Sequence, residues 1–417
     1  MLKKRYALVG TGGRGFSMFA RPLVRNFADV ADLVALCDRN PKRMAAVNQR
    51  LGRAIPAFTS FEEMLEEARP DVVIVCTMDG THHAYILRAL EAGCEVITEK
   101  PMTTTAERVR AILDMEQRTG RKVRVSFNAR YGAAAEAIYR LLRQGVIGEI
   151  LSADFVEYLN TSHGADYFRR WHRRKENSGG LLIHKATHHF DQLNWWIGAD
   201  PEVVYAQGRL AFYGPKREAR GERCLTCPHK GSCAFYLDLT ADETLRALYL
   251  ETEDADGYWR DRCVFAEEID IEDTLAVIIR YQSGVLVTYA LNAFAPYEGQ
   301  RIGFNGTLGR LEVDLVNEYH GPDESGQVRV YPLDVPAVVR VNPLFGRPYT
   351  VPIETRQDSE HGGADARIRE HLFREGLPDP LAQRAGSWAG AMSVLIGVAG
   401  NLSMKTGQPV AIADLLG

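Results

Sequence analysis

Residues 5–15 read RYALVGTGGRG, an apolar run followed by four glycines within six residues. The run over residues 5–10 predicts a first strand, and the glycine-rich turn after it predicts the start of a helix. Gly10, Gly12 and Gly15 fit the pattern G-x-G-x-x-G, in which glycines allow a tight turn, a close approach of backbone to phosphate, and close packing of helix on strand. A helix N-terminus also offers unpaired N–H groups to an anion. The stretch therefore predicts a strand–turn–helix unit that binds phosphate.

The next predicted strand, residues 33–37, ends in Asp38. A carboxylate here can accept hydrogen bonds from the ribose hydroxyls of an adenine dinucleotide, and it repels a 2′-phosphate, which favours NAD. Arg39 keeps NADP as an alternative cofactor, because a guanidinium can pair with a 2′-phosphate, although it can also stack on adenine. The first predicted cofactor-binding residues are Gly10, Gly12, Gly13, Arg14, Gly15, Asp38 and Arg39.

The pattern of predicted elements changes near residue 150. Before it, strands alternate with helices, which is typical of a doubly wound parallel sheet, and after it, alternating apolar and polar residues indicate an antiparallel sheet. We predict an α/β chain with an N-terminal Rossmann domain over residues 1–128, followed by an α+β domain with a mainly antiparallel open sheet over 129–417. The segments are strands at 71–77, 96–98 and 123–127 with helices at 84–92, 106–117 and 130–146, then strands at 150–158, 203–212, 274–281, 285–291 and 309–313, irregular structure at 332–365, and a helix at 382–406.

Composition excludes some classes of partner. The 417 residues carry a net charge of −4, with 25% charged side chains, which argues against a nucleic-acid or anionic-membrane partner. No apolar run reaches the roughly 18 residues that a membrane helix needs. The chain enters a strand almost at once, so we expect no signal peptide and a cytoplasmic location.

Residues 94–102, CEVITEKPM, place a lysine at the edge of the predicted parallel sheet. A strand ends at Glu99 and Lys100, and Pro101 biases Lys100 towards an extended conformation. Ligands of such sheets bind beyond the carboxyl ends of the strands. The preceding strand ends at the same edge, where His82 either starts a helix or lines the cofactor site. This edge adds Thr77, Asp79, His82, Glu99 and Lys100 to the predicted cofactor-binding residues.

The densest polar stretches are residues 166–172 and 179–191. If residues 184–197 are helical, His184, His188 and Asp191 share one face. Two histidines four residues apart suit a zinc pair, or one catalytic histidine beside a substrate-binding one, or polar residues satisfied inside a helix–sheet contact. In the first stretch, Trp171 suits stacking on a sugar, and Arg169, Arg170 and His172 suit hydrogen bonds to hydroxyls or a carboxylate. Segments 257–262 and 295–299 are weaker candidates for the wall of the pocket.

In this order and spacing, the motifs resemble those of the Gfo/Idh/MocA oxidoreductases. The resemblance implies a Rossmann domain followed by an α+β domain whose open sheet often builds a homo-oligomer, a dimer or tetramer. Its carriers are Gly10–Gly15, the His82 region, Glu99–Pro101, Arg130–Ile150, Gly179–Asp191 and Asn401–Val410.

The resemblance also implies roles for two residues. Lys100 would hydrogen-bond the reacting hydroxyl and the nicotinamide ribose, and His188 would be the general acid/base. The chemistry agrees, because oxidation of an alcohol needs a base for the O–H proton and a cation for the developing charge. In one departure, the acid that many relatives carry four residues before this histidine is His184 here, followed by Lys185. The predicted substrate-binding residues are Lys100, Arg169, Trp171, His172, His184, Lys185 and His188.

These observations predict an NAD(P)-dependent oxidoreductase that transfers a hydride between nicotinamide and a secondary hydroxyl of a sugar, glycoside or inositol. Two alternatives stay open. The first is an NAD-dependent glycosidase or lyase that oxidises its sugar transiently, and the second is a non-catalytic sugar-nucleotide sensor.

Four of the seven cysteines concentrate in a predicted insertion around residues 214–265. A CxxC turn with two further thiols in a reducing compartment favours a metal over disulfides. Four thiolates would form a closed structural zinc site, with His229 as a substitute for Cys263. An iron–sulfur cluster and unligated thiols are the alternatives. The predicted ligands are Cys224, Cys227, Cys233 and Cys263.

Overall fold

The computed structural model describes residues 3–322, 328–332, 337–353 and 360–417. Its first sheet has six parallel strands in the order β3-β2-β1-β4-β5-β6. The order reverses between β1 and β4, which opens a crevice at the carboxyl ends of these strands. The strands are β1 (Lys4–Val9), β2 (Ala31–Cys37), β3 (Ala57–Phe58), β4 (Val72–Val75), β5 (Glu95–Thr98) and β6 (Val123–Val125).

Local sequence explains where the helices of this half begin and end. Asn40, Ser60 and Thr105 each accept a hydrogen bond from the first turn of a helix, and Gly52 and Gly120 end two of these helices with positive φ. The helices are Gly15–Ala20 continuing into Arg21–Arg25, then Pro41–Leu51, Phe61–Ala68, His82–Glu91, Ala106–Thr119 and Ala133–Arg143.

The second sheet has ten strands, and its described pairings are antiparallel except that of β7 with β10. Along residues 274–281 buried and more exposed residues alternate, so one face packs on helices and the other is open. The predicted fold class is confirmed. The strands are β7 (Ile150–Asn160), β8 (Pro201–Arg209), β9 (Thr274–Tyr281), β10 (Leu286–Ala295), β11 (Tyr297–Gly306), β12 (Gly309–Pro322), β13 (Val328–Pro332), β14 (Val338–Pro343), β15 (Tyr349–Pro352) and β16 (Val410–Ala411).

Two predicted segments differ from the structure. The predicted helix over 184–197 is two helices that break at Lys185 and Ala186. The segment 332–365, predicted to be irregular, contains β14, β15 and the start of a helix, while residues 333–336 and 354–359 lie outside the described ranges. The helices of this half are Thr161–Arg169, Lys175–Ser178, Leu181–His184, Thr187–Ile197, Glu243–Leu245, Arg246–Leu250, Glu253–Asp256, Ala364–Phe373, Ser387–Thr406 and Ala413–Leu416.

The helix Ser387–Thr406 is long and apolar enough to cross a membrane by length and composition. However, 67% of its most apolar window is buried inside the protein. It packs on β8 and on the helix Thr187–Ile197, as expected of a core helix.

Candidate active site

One large cavity joins the two halves of the chain. Its volume is about 1290 Å³, and it extends from the glycine turn after β1 to the helices that cover the second sheet. The predicted site residues on its wall are Gly10, Gly12, Gly13, Arg14, Gly15, Asp38, Arg39, Thr77, Asp79, His82, Glu99, Lys100, Trp171, His172, His184, Lys185 and His188.

The glycine turn fits a dinucleotide. A Cβ on Gly10 would lie 2.3 Å from the carbonyl oxygen of Cys76, and one on Gly15 would lie 2.2 Å from the Gly10 oxygen, so neither position accepts a larger residue. The backbone nitrogen and hydroxyl of Thr11 donate to Asp38 at 2.8 and 2.9 Å, which fixes this carboxylate at the end of β2. At these glycines the turn therefore has no side chain that would hinder the approach of a phosphate, and it has an acid at the ribose position.

Part of the insertion covers this turn. The backbone nitrogen of Gly13 donates to the hydroxyl of Tyr249 at 2.7 Å. The same segment is anchored to the helix after β2, because Asn40 donates to the carbonyl of Thr252 at 2.9 Å and Arg43 forms an ion pair with Asp256 at 2.9 Å. Neither Tyr249 nor Asp256 was predicted from the sequence, since nothing in their local pattern indicates contact with residues more than 200 positions away.

Arg14 and Glu99 contact each other. Nε of Arg14 lies 2.7 Å from Glu99 Oε1, and its Nη1 lies 2.9 Å from Asp365 Oδ2. These two carboxylates raise the pKa of Arg14 despite its burial. The guanidinium therefore ties the turn after β1 to the end of β5 and to the helix Ala364–Phe373.

Lys100 reaches across the cavity to the second half of the chain. Its Nζ donates to the carbonyl oxygen of His184 at 2.8 Å. This carbonyl is free to accept because the backbone N–H of His188 donates instead to Lys185 at 3.3 Å, where the helix breaks. Burial lowers the pKa of Lys100 to about 8, although Asp79 and Glu99 raise it.

His188 lies in the same cavity and packs edge-on against Phe127, with ring centroids 6.0 Å apart. Burial, followed by the positive charges of Lys100 and Lys185, lowers the pKa of His188 well below its ordinary value. A neutral imidazole beside a lysine can accept a proton.

The other predicted substrate residues form one wall. His172 stacks on Trp171 with centroids 3.7 Å apart, and its ring is 4.1 Å from that of His184. Nδ1 of His184 lies 2.6 Å from Oδ2 of Asp79. His184 and His188 belong to separate helices, so they do not share the single helix face that the sequence predicted.

Several acidic and basic residues on this wall either were not predicted from the sequence or lie in segments that were only weaker candidates. Lys185 forms an ion pair with Glu157 at 3.1 Å, and His163 lies 2.7 Å from Glu298. Glu157 could have been recognised from the sequence, because it is an acidic residue at one of the alternating positions of β7 that are otherwise apolar and buried. Glu298 belongs to a segment named as a weaker candidate, as does Tyr258, which also lines the cavity.

Some predicted residues have other roles. Arg169 is absent from the cavity wall, and donates instead to the carbonyl of Phe235 at 2.6 Å. His82 touches the cavity, but both ring nitrogens face backbone carbonyls, those of Pro101 and Thr77. Asp191 is buried in an ion pair with Arg130, at 2.6 Å.

The structure does not support the predicted zinc sites. Cys224, Cys227, Cys233 and Cys263 line one small separate space and form no disulfide. Within the described ranges, no group of three or more His, Cys, Asp or Glu side chains is arranged to hold a metal ion. At Cys224 the guanidinium of Arg169 donates to the sulfur at 3.4 Å, and burial raises the pKa of the thiol although Arg169 lowers it.

Comparison with known proteins identifies the family. Residues 4–127 match the family model described as an oxidoreductase family with an NAD-binding Rossmann fold, and residues 140–412 match its C-terminal alpha/beta domain. A Bacillus subtilis (strain 168) protein named as a proposed oxidoreductase, YteT, is 37% identical over 433 residues, which cover 99% of this chain and 98% of that protein. The inositol 2-dehydrogenase of Rhizobium meliloti (strain 1021) is 31% identical over 202 residues, 48% of this chain and 57% of the enzyme.

A solved structure shows the same fold. An oxidoreductase from Agrobacterium radiobacter, in complex with NAD+, L-tartaric acid and magnesium, aligns with a TM-score of 0.69 at 14% identity, covering 99% of this chain and 100% of that one. At this identity the likeness concerns the fold alone. The two family matches span nearly the whole sequence. The chain therefore belongs to the GFO/IDH/MocA oxidoreductase family, with an NAD-binding Rossmann domain followed by the family's alpha/beta domain.

Proposed function

We propose that this protein is an NAD-dependent oxidoreductase that transfers a hydride between nicotinamide and a secondary hydroxyl of a sugar, glycoside or inositol. One observation carries the proposal. Lys100 and His188 line the same cavity as the glycine turn, at the carboxyl ends of the first sheet's strands. A substrate hydroxyl in this cavity would meet a base and a cation together.

Each residue of the cavity would have a separate role in this reaction. NAD, when bound, supplies the hydride acceptor. His188 takes the hydroxyl proton, since its lowered pKa keeps it neutral. Lys100, as an ammonium, stabilises the negative charge that develops on the oxygen. Trp171 offers a ring for the sugar, and the acids and bases around Glu157 suit a ligand with many hydroxyls.

The charges at the ribose position favour NAD over NADP. Asp38 is held at the end of β2, and Arg39, the cation that left NADP open, has its Nε 3.8 Å from the buried carboxylate of Asp256. Two carboxylates near this position disfavour a 2′-phosphate.

The test is absorbance at the NADH wavelength while the purified protein meets NAD or NADP and a panel of sugars, inositols and glycosides. Formation of NADH in the presence of one of these sugars supports a dehydrogenase. A higher rate of cofactor reduction with NAD than with NADP supports the assignment of NAD. Cofactor binding with no turnover of any carbohydrate would instead favour the sugar-nucleotide sensor.

A second candidate is an NAD-dependent glycosidase or lyase in which the cofactor is reduced and reoxidised within one turnover. The segment around Tyr249 favours it, because a covered glycine turn suits a cofactor that stays bound between turnovers. Release of the aglycone without net NADH, assayed in parallel, would select this candidate over the first.

We also propose that the protein is a cytoplasmic homo-oligomer. Its seven cysteines are unpaired, which suits a reducing compartment. The open face of the second sheet carries exposed apolar residues, Leu151, Ile278 and Leu286 among them. Light scattering coupled to size-exclusion chromatography would test the assembly, and we expect a dimer or tetramer. We keep the predicted domain boundary at residue 128 as part of this proposal.

A further inference from the structure

The imidazole of His184 is held by a carboxylate from the other half of the chain. Nδ1 of His184 lies 2.6 Å from Oδ2 of Asp79, and the two residues are 8% and 2% exposed. Asp79 belongs to the turn after β4, whereas His184 ends the helix Leu181–His184, which packs on the helix Ser387–Thr406 in the second half. The pair therefore exists only where both halves meet at the cavity.

The charges around the pair determine where its proton lies. Burial, and then Lys100 and His172, lower the pKa of His184 well below its ordinary value. Burial holds the pKa of Asp79 well above its ordinary value, with Glu99 acting in the same direction and the positive charges of Lys100 and Arg170 opposing it. A hydrogen bond of 2.6 Å joins Oδ2 of Asp79 and Nδ1 of His184, and an ionised Asp79, which Lys100 and Arg170 stabilise, would accept it from the Nδ1–H of a neutral imidazole.

This form leaves Nε2 as the basic nitrogen of His184. In the described parts of the chain, the only hydrogen-bond partner of the ring is Asp79, and His184 lines the cavity. Neighbouring rings limit rotation, with centroids at 4.1 Å for His172, 5.3 Å for Tyr167 and 5.8 Å for Trp171. Lys185 adds a further positive charge near the ring.

His188 differs from His184 in this respect. Its Nδ1 is buried and has no hydrogen-bond partner among the described residues. His188 thus has no fixed partner at Nδ1, whereas a carboxylate orients His184, as Glu298 orients His163 in the same cavity. Orientation by a carboxylate is how proteins select the tautomer of a catalytic histidine.

We propose that Asp79 is a positioning residue that fixes His184 as a second proton-transfer group of the cavity, beside His188. In this step a substrate proton moves to Nε2, the bond from the substrate atom to that proton breaks, and its electron pair stays on the substrate. The imidazolium keeps its Nδ1–H on the Asp79 carboxylate, and return of the proton restores the neutral ring. The proposal rests on the proposed function for its substrate.

The pair can be tested without a substrate. In the full-length protein labelled with 15N-histidine, side-chain 1H–15N NMR reports which ring nitrogen carries the proton, and the variant His184→Gln identifies the signal. At neutral pH we expect His184 to carry its proton on Nδ1. Asp79→Ala should abolish this preference, whereas Asp79→Asn, which keeps an acceptor oxygen, should retain it. A proton on Nε2 in the unaltered protein, or an unchanged signal in Asp79→Ala, would overturn the proposal.

Turnover gives a second readout once the NADH assay has found a substrate. Asp79→Ala and Asp79→Asn should lower kcat by about 10²-fold or more, with KM and NADH affinity changed less than about threefold. In Asp79→Asn the acidic limb of the kcat profile should move to lower pH, because loss of the carboxylate makes His184 less basic. The control Asp32→Ala, an exposed acid on β2, should change none of these.

A kcat that is unaltered in both Asp79 variants would contradict the role of the pair. If the unaltered protein turns over no carbohydrate, the proposed function fails, and the NMR experiment alone then decides whether Asp79 fixes the tautomer of His184.

Discussion

The hydroxyl of Tyr249 lies 2.7 Å from the backbone nitrogen of Gly13, so the insertion touches the turn that would bind the cofactor phosphates. The ring of Tyr249 is also held by Arg43, whose guanidinium carbon is 5.5 Å from its centroid. Together these contacts place an aromatic cover over the dinucleotide site.

We expect Tyr249→Ala to speed dissociation of NADH about tenfold or more, because both the hydroxyl and the ring of the cover are lost. Tyr249→Phe keeps the ring and should have a smaller effect. Stopped-flow fluorescence of NADH displaced by excess NAD measures the rate. The control is Tyr236→Ala, a partly exposed tyrosine of the same insertion that is absent from the cavity wall. Equal dissociation rates in all four proteins would show that the segment does not retain the cofactor.

Lys100→Met should lower kcat/KM by about 10²–10³-fold, the effect of removing one group that stabilises a developing oxyanion. The affinity for NADH, measured by fluorescence, should change little, since methionine has nearly the same length and occupies the same space. Lys405→Met, at an exposed position near the end of the helix Ser387–Thr406, is the matched control. Retained turnover in Lys100→Met would rule out the role of the ammonium.

The pH dependence follows from the lowered pKa of Lys100. Burial brings this pKa to about 8, so the ammonium is present below that pH and is lost as the pH rises through it. The groups facing it are Asp79, Glu99, Lys185 and Arg14. We expect kcat/KM to fall above about pH 8, by tenfold per pH unit. In Lys100→Arg the guanidinium stays charged over this pH range, so the remaining activity should not fall above about pH 8. If kcat/KM of this variant still falls there, the titrating group is not Lys100.

We expect the buried ion pair of Asp191 with Arg130 to stabilise the folded protein. Asp191→Ala leaves the guanidinium of Arg130 buried, with the carbonyl of Ala382 as its remaining hydrogen-bond acceptor among the described residues and the Trp195 ring 5.7 Å away. Removing one partner of a buried pair costs about 3–5 kcal/mol of the free energy of unfolding. Urea denaturation measures this cost, and Asp29→Ala, which breaks an exposed pair with Arg374, should cost much less. Similar midpoints for the two variants would contradict the assignment.

The first sheet could be predicted from the sequence because its signals are local. Apolar strands, a glycine turn and a proline after Lys100 act within a few residues of each other. The break at Lys185 could not be predicted, because lysine and alanine are both good helix formers. Contacts from elsewhere impose it, since Lys185 pairs with Glu157 and the freed carbonyl of His184 accepts from Lys100.

The candidate site was predicted where the sequence motif itself carries the chemistry, and missed where distant segments meet. Tyr249 comes from a part of the chain with no local sign of a site, Glu298 comes from a segment that was only a weaker candidate, and His163 lies in a helix that the sequence did not reveal. The zinc site predicted from the cysteines is not supported in the described parts of the chain. The spacing of these cysteines is typical of a metal site, but spacing does not reveal that Arg169 approaches the sulfur of Cys224.

The insertion lies between two neighbouring strands, at a place where the length of the chain can vary during evolution. Residues 210–273 connect β8 to β9, and these strands are direct neighbours, with Arg209 paired to Thr274. A turn of a few residues would join the same two strand ends. The pairing of β8 with β9 therefore does not require a connection of this length, although Tyr213, Phe235 and Phe265 of the present segment are buried in the core. The same pair of sheets could thus release its cofactor freely or hold it through many turnovers, depending on the one segment that joins β8 to β9.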